Sequence, residues 1–212
     1  MPRSAGAHAA DGLAMSAIDE YIADAAILAE PYSALSEAEI LRSVSHLLPS
    51  APAILLDIGA GIGRSGAWFA AQGITVTSVE PVAAFRAFGQ ERFGVAMQTW
   101  IDDRLPHLAR VRDLGVRYDT ILISGVWHHL SPRERIAALH QLPDLLADNG
   151  RIILSLRHGP CPRTHHPAPV SALAGSAQAT GLDIEFQTNA LSIQQSNRDS
   201  GVTWTWVCLR HR

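Results

Sequence analysis

Residues 54–70 read ILLDIGAGIGRSGAWFA, and this stretch decides the fold. Ile54 to Ile58 are apolar at both parities apart from Asp57, and the run is too short for a helix. That is the pattern of a strand covered on both faces of a parallel sheet. Gly59, Gly61 and Gly63 follow at alternate positions, and a helical pattern then resumes. Glycine lets the backbone take left-handed angles and come close to a ligand, and the helix beyond offers unpaired N–H groups. The last glycine of a dinucleotide-binding GxGxxG would fall at position 64, which is Arg64. The spacing is DxGxGxG, so an NAD-type loop is not encoded.

Working outward, AILLDI (53–58), ITVTSV (74–79), GVAMQ (94–98), DTILIS (119–124) and RIILSL (151–156) read as strands. Helical patterns near 63–72, 82–91, 107–114 and 132–147 lie between them. Such alternation predicts an α/β, Rossmann-like, doubly wound sheet. A helix over 170–179 and strands over 182–188 and 202–210 follow, the last two joined by the turn-like SNRDSG. The expected sheet is therefore seven-stranded and mostly parallel, with an antiparallel final hairpin.

Upstream, Ile18, Tyr21, Ile22, Leu28, Leu35, Ile40, Leu41 and Val44 recur at helical spacing. Pro31 is expected to separate two helices, and Ser36 to cap the second with Glu39 at the capping-box position. The expected organisation is a mobile leader over 1–15, a helical lid over 16–50 and the α/β domain over 51–212.

Composition excludes several function classes. The chain has 212 residues, 47% hydrophobic and 17% charged, a globular balance. A net charge of -3 provides no strong field to recruit nucleic acid or an anionic membrane. All 17 basic residues are Arg, which removes Schiff-base chemistry and any lysine base. Two cysteines make no disulfide framework, and no run reaches the ~18 apolar residues of a membrane span. A cytoplasmic protein is expected, without membrane or nucleic-acid partners.

Four segments in order resemble the motifs of the class I S-adenosylmethionine-dependent methyltransferases over residues 53–157. The glycine loop, with Asp57, Gly59, Ala60, Gly61 and Gly63, is similar to the family's first motif. In ITVTSVEP, Glu80 stands at a strand tip, where the resemblance implies that it accepts the ribose hydroxyls and that Pro81 and Val82 border the adenine. TWIDDRLPHL resembles the acidic loop after the third strand. The implied adenine-amino partner is Asp102, with Asp103 as the alternative and Trp100 and Ile101 as flanking residues. In YDTILISGVWHHLSP, Ser124 and Gly125 occupy positions that border the methionine part. The resemblance implies S-adenosyl-L-methionine as cofactor and methyl transfer to an O or N atom of a small-molecule acceptor. Methylation of a protein or RNA, and a noncatalytic cofactor-binding module, are the alternatives.

The methyl of a sulfonium is already electrophilic, so a base is needed only where the acceptor must lose a proton. His128 and His129, after the fourth strand, and His158, after the fifth, are candidates for that base, with His129 favoured over His128. His158, after the fifth strand, and Trp127 are expected beside the acceptor. Tyr21, Tyr32 and Arg42 of the lid could meet cofactor or substrate. HGPCPRTHH (158–166) holds zinc-ligand types in His158, Cys161, His165 and His166, but it is read as a loop bordering the acceptor pocket and no metal is expected. SGVWHH lacks the Asn/Asp-Pro-Pro-aromatic segment of enzymes that methylate exocyclic amino groups of bases. Cys161 comes with no basic RNA-binding extension.

Overall fold

Strand parity assigns the two faces of the sheet. The computed structural model describes residues 15–94 and 96–212. In β1 (Ile54–Ile58), Leu56 and Ile58 join one buried cluster and Leu55 the other. In β4 (Tyr118–Ile123) the split is Ile121 and Ile123 against Leu122, and in β5 (Leu146–His158) it is Ile152, Leu154 and Leu156 against Ile153. Alternate side chains leave opposite faces, so strands apolar at both parities need helices on both sides.

The strand order is β3-β2-β1-β4-β5-β7-β6, with β2 (Thr75–Val79), β3 (Gln98–Ile101), β6 (Leu182–Leu191) and β7 (Thr203–His211). The pairings among the first five strands are parallel, and β7 runs antiparallel to both β5 and β6. One face carries α5 (Ala109–Asp113), α6 (Pro132–Leu145) and α7 (Val170–Ala179); the other carries α3 (Arg64–Ala70). The chain leaves β1 toward β2 and β3 and then returns to β4 on β1's other side. The crevice beyond the C-terminal ends of β1 and β4 is thus the switch point where open α/β sheets bind ligands.

Three expectations are corrected. Pro31 does not separate two helices, because α1 runs unbroken from Ala17 to Ser33. The proline stands in the last turn, where only one backbone bond is forfeited before the helix ends. The start of α1 carries a capping box of Ser16 and Asp19. After it, Ser36 caps a single turn, α2 (Glu37–Ile40), followed by a 3-10 segment over Arg42–Leu47. GVAMQ is not the third strand. Gly94 takes φ 49° to end α4 (Ala83–Phe93), so pairing with β2 begins only at Gln98. SNRDSG is more than a turn, since α8 spans Gln195–Asp199. There Arg198 donates to the carbonyls of Ser192 and Ile193, and Asn197 to the Ser192 hydroxyl, which winds the connection into a helical turn.

The N-terminal segment joins the sheet domain through two apolar clusters. Ala25 and Ala29 of α1 pack on Ile62, Val82 and Phe85, and Leu41 and Val44 join Leu55, Phe69 and Trp206. The expected leader, apart from Met15, lies outside the described residues. Among those, no helix is long and apolar enough to cross a membrane.

Candidate active site

The glycine loop is anchored before any ligand arrives. Gly59 and Ala60 donate their N–H groups to the Val79 carbonyl at 2.8 and 2.9 Å. Gly59, Gly61 and Gly63 have φ of 71°, 57° and 78°. A Cβ at Gly59 would strike Val126 and one at Gly63 would strike Trp100, whereas Gly61 faces open space. Glu80, only 5% exposed, accepts from Gly61 N–H and Val82 N–H at 2.8 Å each. Burial raises its pKa, and the two backbone donors oppose the rise. Each oxygen keeps acceptor capacity for a ribose hydroxyl, and Pro81 follows, partly buried.

The acidic loop is arranged differently from the expectation. The Trp100 indole packs against Gly63 and Gly89 and stays partly exposed. Ile101 packs at the edge of the main core. Asp102 is paired with Arg86 at 3.0 Å, and Arg86 also donates to the Glu80 carbonyl. Asp103 accepts the N–H groups of Arg110 and Val111 at 2.8 and 3.2 Å. It supplies the cap that Leu108, the residue before α5, cannot.

A cavity of about 980 Å³ opens from the glycine loop and the β4 end, where Asp57, Gly61, Ser124 and Gly125 line it. Glu80, Pro81, Trp100, Ile101 and Asp102 do not line it. α1 roofs the cavity with Tyr21 and Tyr32, and Arg42 lines it as well. The roof is held by Arg163, which pairs with Asp24 at 2.8 Å and lies 4.5 Å from the Tyr21 ring centroid, and by Thr164, which bonds Glu20.

Asp57 is buried with Oδ2 unpartnered, and burial beside Glu37 pushes its pKa up to about 8. Glu37 is itself buried and held by Arg64 and Ser65, each at 2.8 Å. An orphaned acceptor lining the cavity, next to an open glycine backbone, fits the cationic amino-acid end of S-adenosylmethionine.

The histidine pair divides by environment. His128 lines the cavity but is 3% exposed with Nδ1 unpartnered, and burial first, then His129 and Arg157, push its pKa down to about 2. A group so reluctant to take a proton is no general base near neutrality. His129 stands behind it. Its Nδ1 lies 2.7 Å from the Thr164 carbonyl, which can only accept, so Nδ1 carries the hydrogen and Nε2 is bare. The Tyr21 hydroxyl donates to that Nε2 at 3.2 Å. Burial lowers the His129 pKa, with the Thr164 carbonyl opposing, and burial lifts the Tyr21 phenol far above its ordinary value.

Asp57 and His128 give the stability two opposite pH limbs. Asp57 ionises near 3.8 when unfolded and near 8 when folded, so stability falls as pH rises through that window. His128 takes its proton near 6.5 when unfolded and only near 2 when folded, so stability falls as pH drops below 6.5. Urea midpoints are expected to lose the alkaline decline in Asp57→Asn and the acid decline in His128→Gln. Parallel curves in all three proteins would reject both assignments.

Two expected acceptor residues are displaced. Trp127 is 1% exposed and belongs to the core. His158 does not line the main cavity and bonds Thr205 in a separate hollow. Strand alternation explains this, since Ser155 and Arg157 face the cavity and the next residue turns away. The zinc-type residues of 158–166 do not gather; Cys161 alone among them meets the His128–His129 pair, with ligand atoms within 4.8 Å. Sequence reasoning missed Arg157, Arg163 and Trp204. The first had a usable signal in its two-residue spacing from Ser155.

A methyltransferase-domain family model matches residues 56–152. A comparison with curated proteins finds no match by sequence. Among solved structures, Burkholderia thailandensis 1,6-didemethyltoxoflavin-N1-methyltransferase is similar at 20% identity and TM-score 0.70, over 99% of this chain and 93% of its own. A TehB-like S-adenosylmethionine-dependent methyltransferase from Corynebacterium glutamicum is similar at 18% identity and TM-score 0.64, over 90% and 99%. The glycopeptide N-methyltransferase MtfA is similar at 17% identity and TM-score 0.64, over 82% and 90%. At these identities the likeness is one of fold. The family match spans the glycine loop and the first half of β5, so residues 56–152 resemble a methyltransferase domain, and the sheet order is that of the S-adenosylmethionine-dependent methyltransferase fold.

Proposed function

We propose that the protein transfers a methyl group to an O or N atom of a small-molecule acceptor. The observation that carries this is the roofed cavity of about 980 Å³, a small-ligand volume that runs from the glycine loop to Tyr21 and His128. The Burkholderia enzyme is named for 1,6-didemethyltoxoflavin and MtfA for a glycopeptide, which supports acceptors of modest size.

Bound S-adenosylmethionine supplies an electrophilic methyl on a sulfonium. Asp57, Gly59, Ala60 and Gly61, with Ser124 and Gly125, hold its amino-acid end. Glu80 takes the ribose, with Pro81, Ile101 and Asp102 toward the adenine. Tyr21 accepts the acceptor's proton as it passes its own to His129 Nε2, so Tyr21 touches substrate and His129 is the sink behind it.

The test is a lysate fractionated by size and incubated with the protein and methyl-labelled cofactor. Label in the low-molecular-mass fraction is expected. Label only in protein or RNA would replace the reading with that alternative. S-adenosylhomocysteine binding without any transfer would make the protein a noncatalytic module.

The acidic loop gives a separate expectation. Asp102→Ala weakens cofactor binding with little change in melting temperature. Asp103→Ala does the reverse, costing about 1 kcal/mol of stability through the lost α5 cap. Calorimetric titration and thermal melts on both variants check it, and equal effects would reject the division.

A further inference from the structure

The charge of the cavity says more about the acceptor. Five arginines line it and only two carboxylates, Glu39 and Asp57. Three of the arginines are answered: Arg42 by Glu39 at 3.1 Å, Arg64 by Glu37 at 2.8 Å and Arg163 by Asp24 at 2.8 Å. Arg157 and Arg198 have no carboxylate within 4.0 Å among the described residues. The cavity is therefore electropositive in a protein whose net charge is -3.

Of the two, Arg157 is the built one. Its Nε and Nη2 donate to the Pro160 carbonyl at 3.2 and 2.7 Å, and Nη2 also to Asn197 Oδ1 at 3.1 Å. These bonds fix the guanidinium 5.4 Å from the Trp204 ring centroid, while Nη1 has no acceptor among the described residues. Arg198 is exposed and spends its donors on Ser192, Ile193 and Gln195, which orders the β6–β7 connection. Two residues before Arg157 on the same strand face, Ser155 accepts from Gly125 N–H at 2.8 Å, at the cofactor's methionine end.

We infer that the acceptor bears an oxyanion, carboxylate or phosphate, and that Arg157 holds this group beside Trp204. The inference rests on the methyltransferase reading above and names its substrate class. The sulfonium adds a further positive charge, so a cationic acceptor would be repelled from this cavity and an anionic one drawn in. Arginine with two unused N–H bonds on one nitrogen suits an oxyanion, and its fixed position limits the ordering cost on binding.

The probes are 4-hydroxybenzoate, 4-hydroxyphenyl phosphate and the uncharged methyl 4-hydroxybenzoate. Each is titrated into protein saturated with S-adenosylhomocysteine, followed by calorimetry and tryptophan fluorescence. At least one oxyanion is expected to bind tenfold or more tightly than the ester, and which one separates a carboxylate from a phosphate acceptor. The preference should shrink at high salt, disappear in Arg157→Gln and survive in part in Arg157→Lys. Affinity for S-adenosylhomocysteine should stay unchanged in both variants. An ester that binds as well as the acids, a preference that survives Arg157→Gln, or binding of none of the three overturns the inference. Failure of the wild-type protein to bind S-adenosylhomocysteine would instead overturn the methyltransferase reading.

Discussion

Replacing Glu80 by alanine is expected to weaken S-adenosylhomocysteine binding by about 1.5 to 3 kcal/mol, roughly ten- to a hundredfold. Two losses combine. The ribose hydroxyls lose a charged acceptor, and Gly61 and Val82 lose the carboxylate that holds their N–H groups at 2.8 Å. Glu80→Gln should not restore binding, because its amide NH2 would confront one of those two donors. Gly61→Val separates loop shape from side-chain chemistry. Its φ of 57° strains any side chain while its surroundings are empty, so the protein should fold and fail to bind. Gly63→Val drives a side chain into Trp100 and should lower the melting temperature as well. Calorimetry paired with thermal melts checks all four, and a Glu80→Ala protein with wild-type affinity would move the ribose site elsewhere.

The second large effect is on turnover. With an acceptor whose proton must leave, Tyr21→Phe and His129→Asn are each expected to lower kcat by about 10²-fold. Because the proton passes through both, the double variant should be little worse than either alone. The wild-type acid limb should lie below pH 6.5, since burial lowers the His129 pKa, and should vanish in His129→Asn. His128→Gln should keep that limb. Additive losses in the double variant would break the relay, and an intact limb in His129→Asn would remove His129 from it.

What the sequence shows of this protein follows the range of the forces involved. Strands β1, β4 and β5 are legible because alternate residues must feed two separate clusters, which leaves long apolar runs. The glycine loop is legible because backbone angles near φ 57° to 78° leave few residues able to serve. Pro31 misleads because its cost depends on which turn of α1 it occupies, which tertiary packing sets. Trp127 and His158 lie at chemically suggestive places, yet a burial of 1% exposure and one step of strand parity take them out of the cavity. Asp102 and Asp103 look alike in sequence and differ only through Arg86 and the N–H groups of α5. Tyr21 and His129 are 108 positions apart, so their hydrogen bond exists only once α1 is docked.

That docking carries a consequence for how the chain comes to life. The clamp on α1 joins Asp24 to Arg163 and Glu20 to Thr164, across 139 and 144 positions. α1 meets Ile62, Val82 and Phe85 soon after it leaves the ribosome, but its two clamp partners exist only on the order of ten seconds later at usual elongation rates. Closing so long a loop is entropically costly, and contacts of this separation form late. A nascent chain can thus complete the glycine loop and the five parallel strands while the ceiling of the chamber still lacks its clamp. The chamber is closed firmly only after residue 164 has emerged, so the proposed methyl transfer waits for the last of its fastenings.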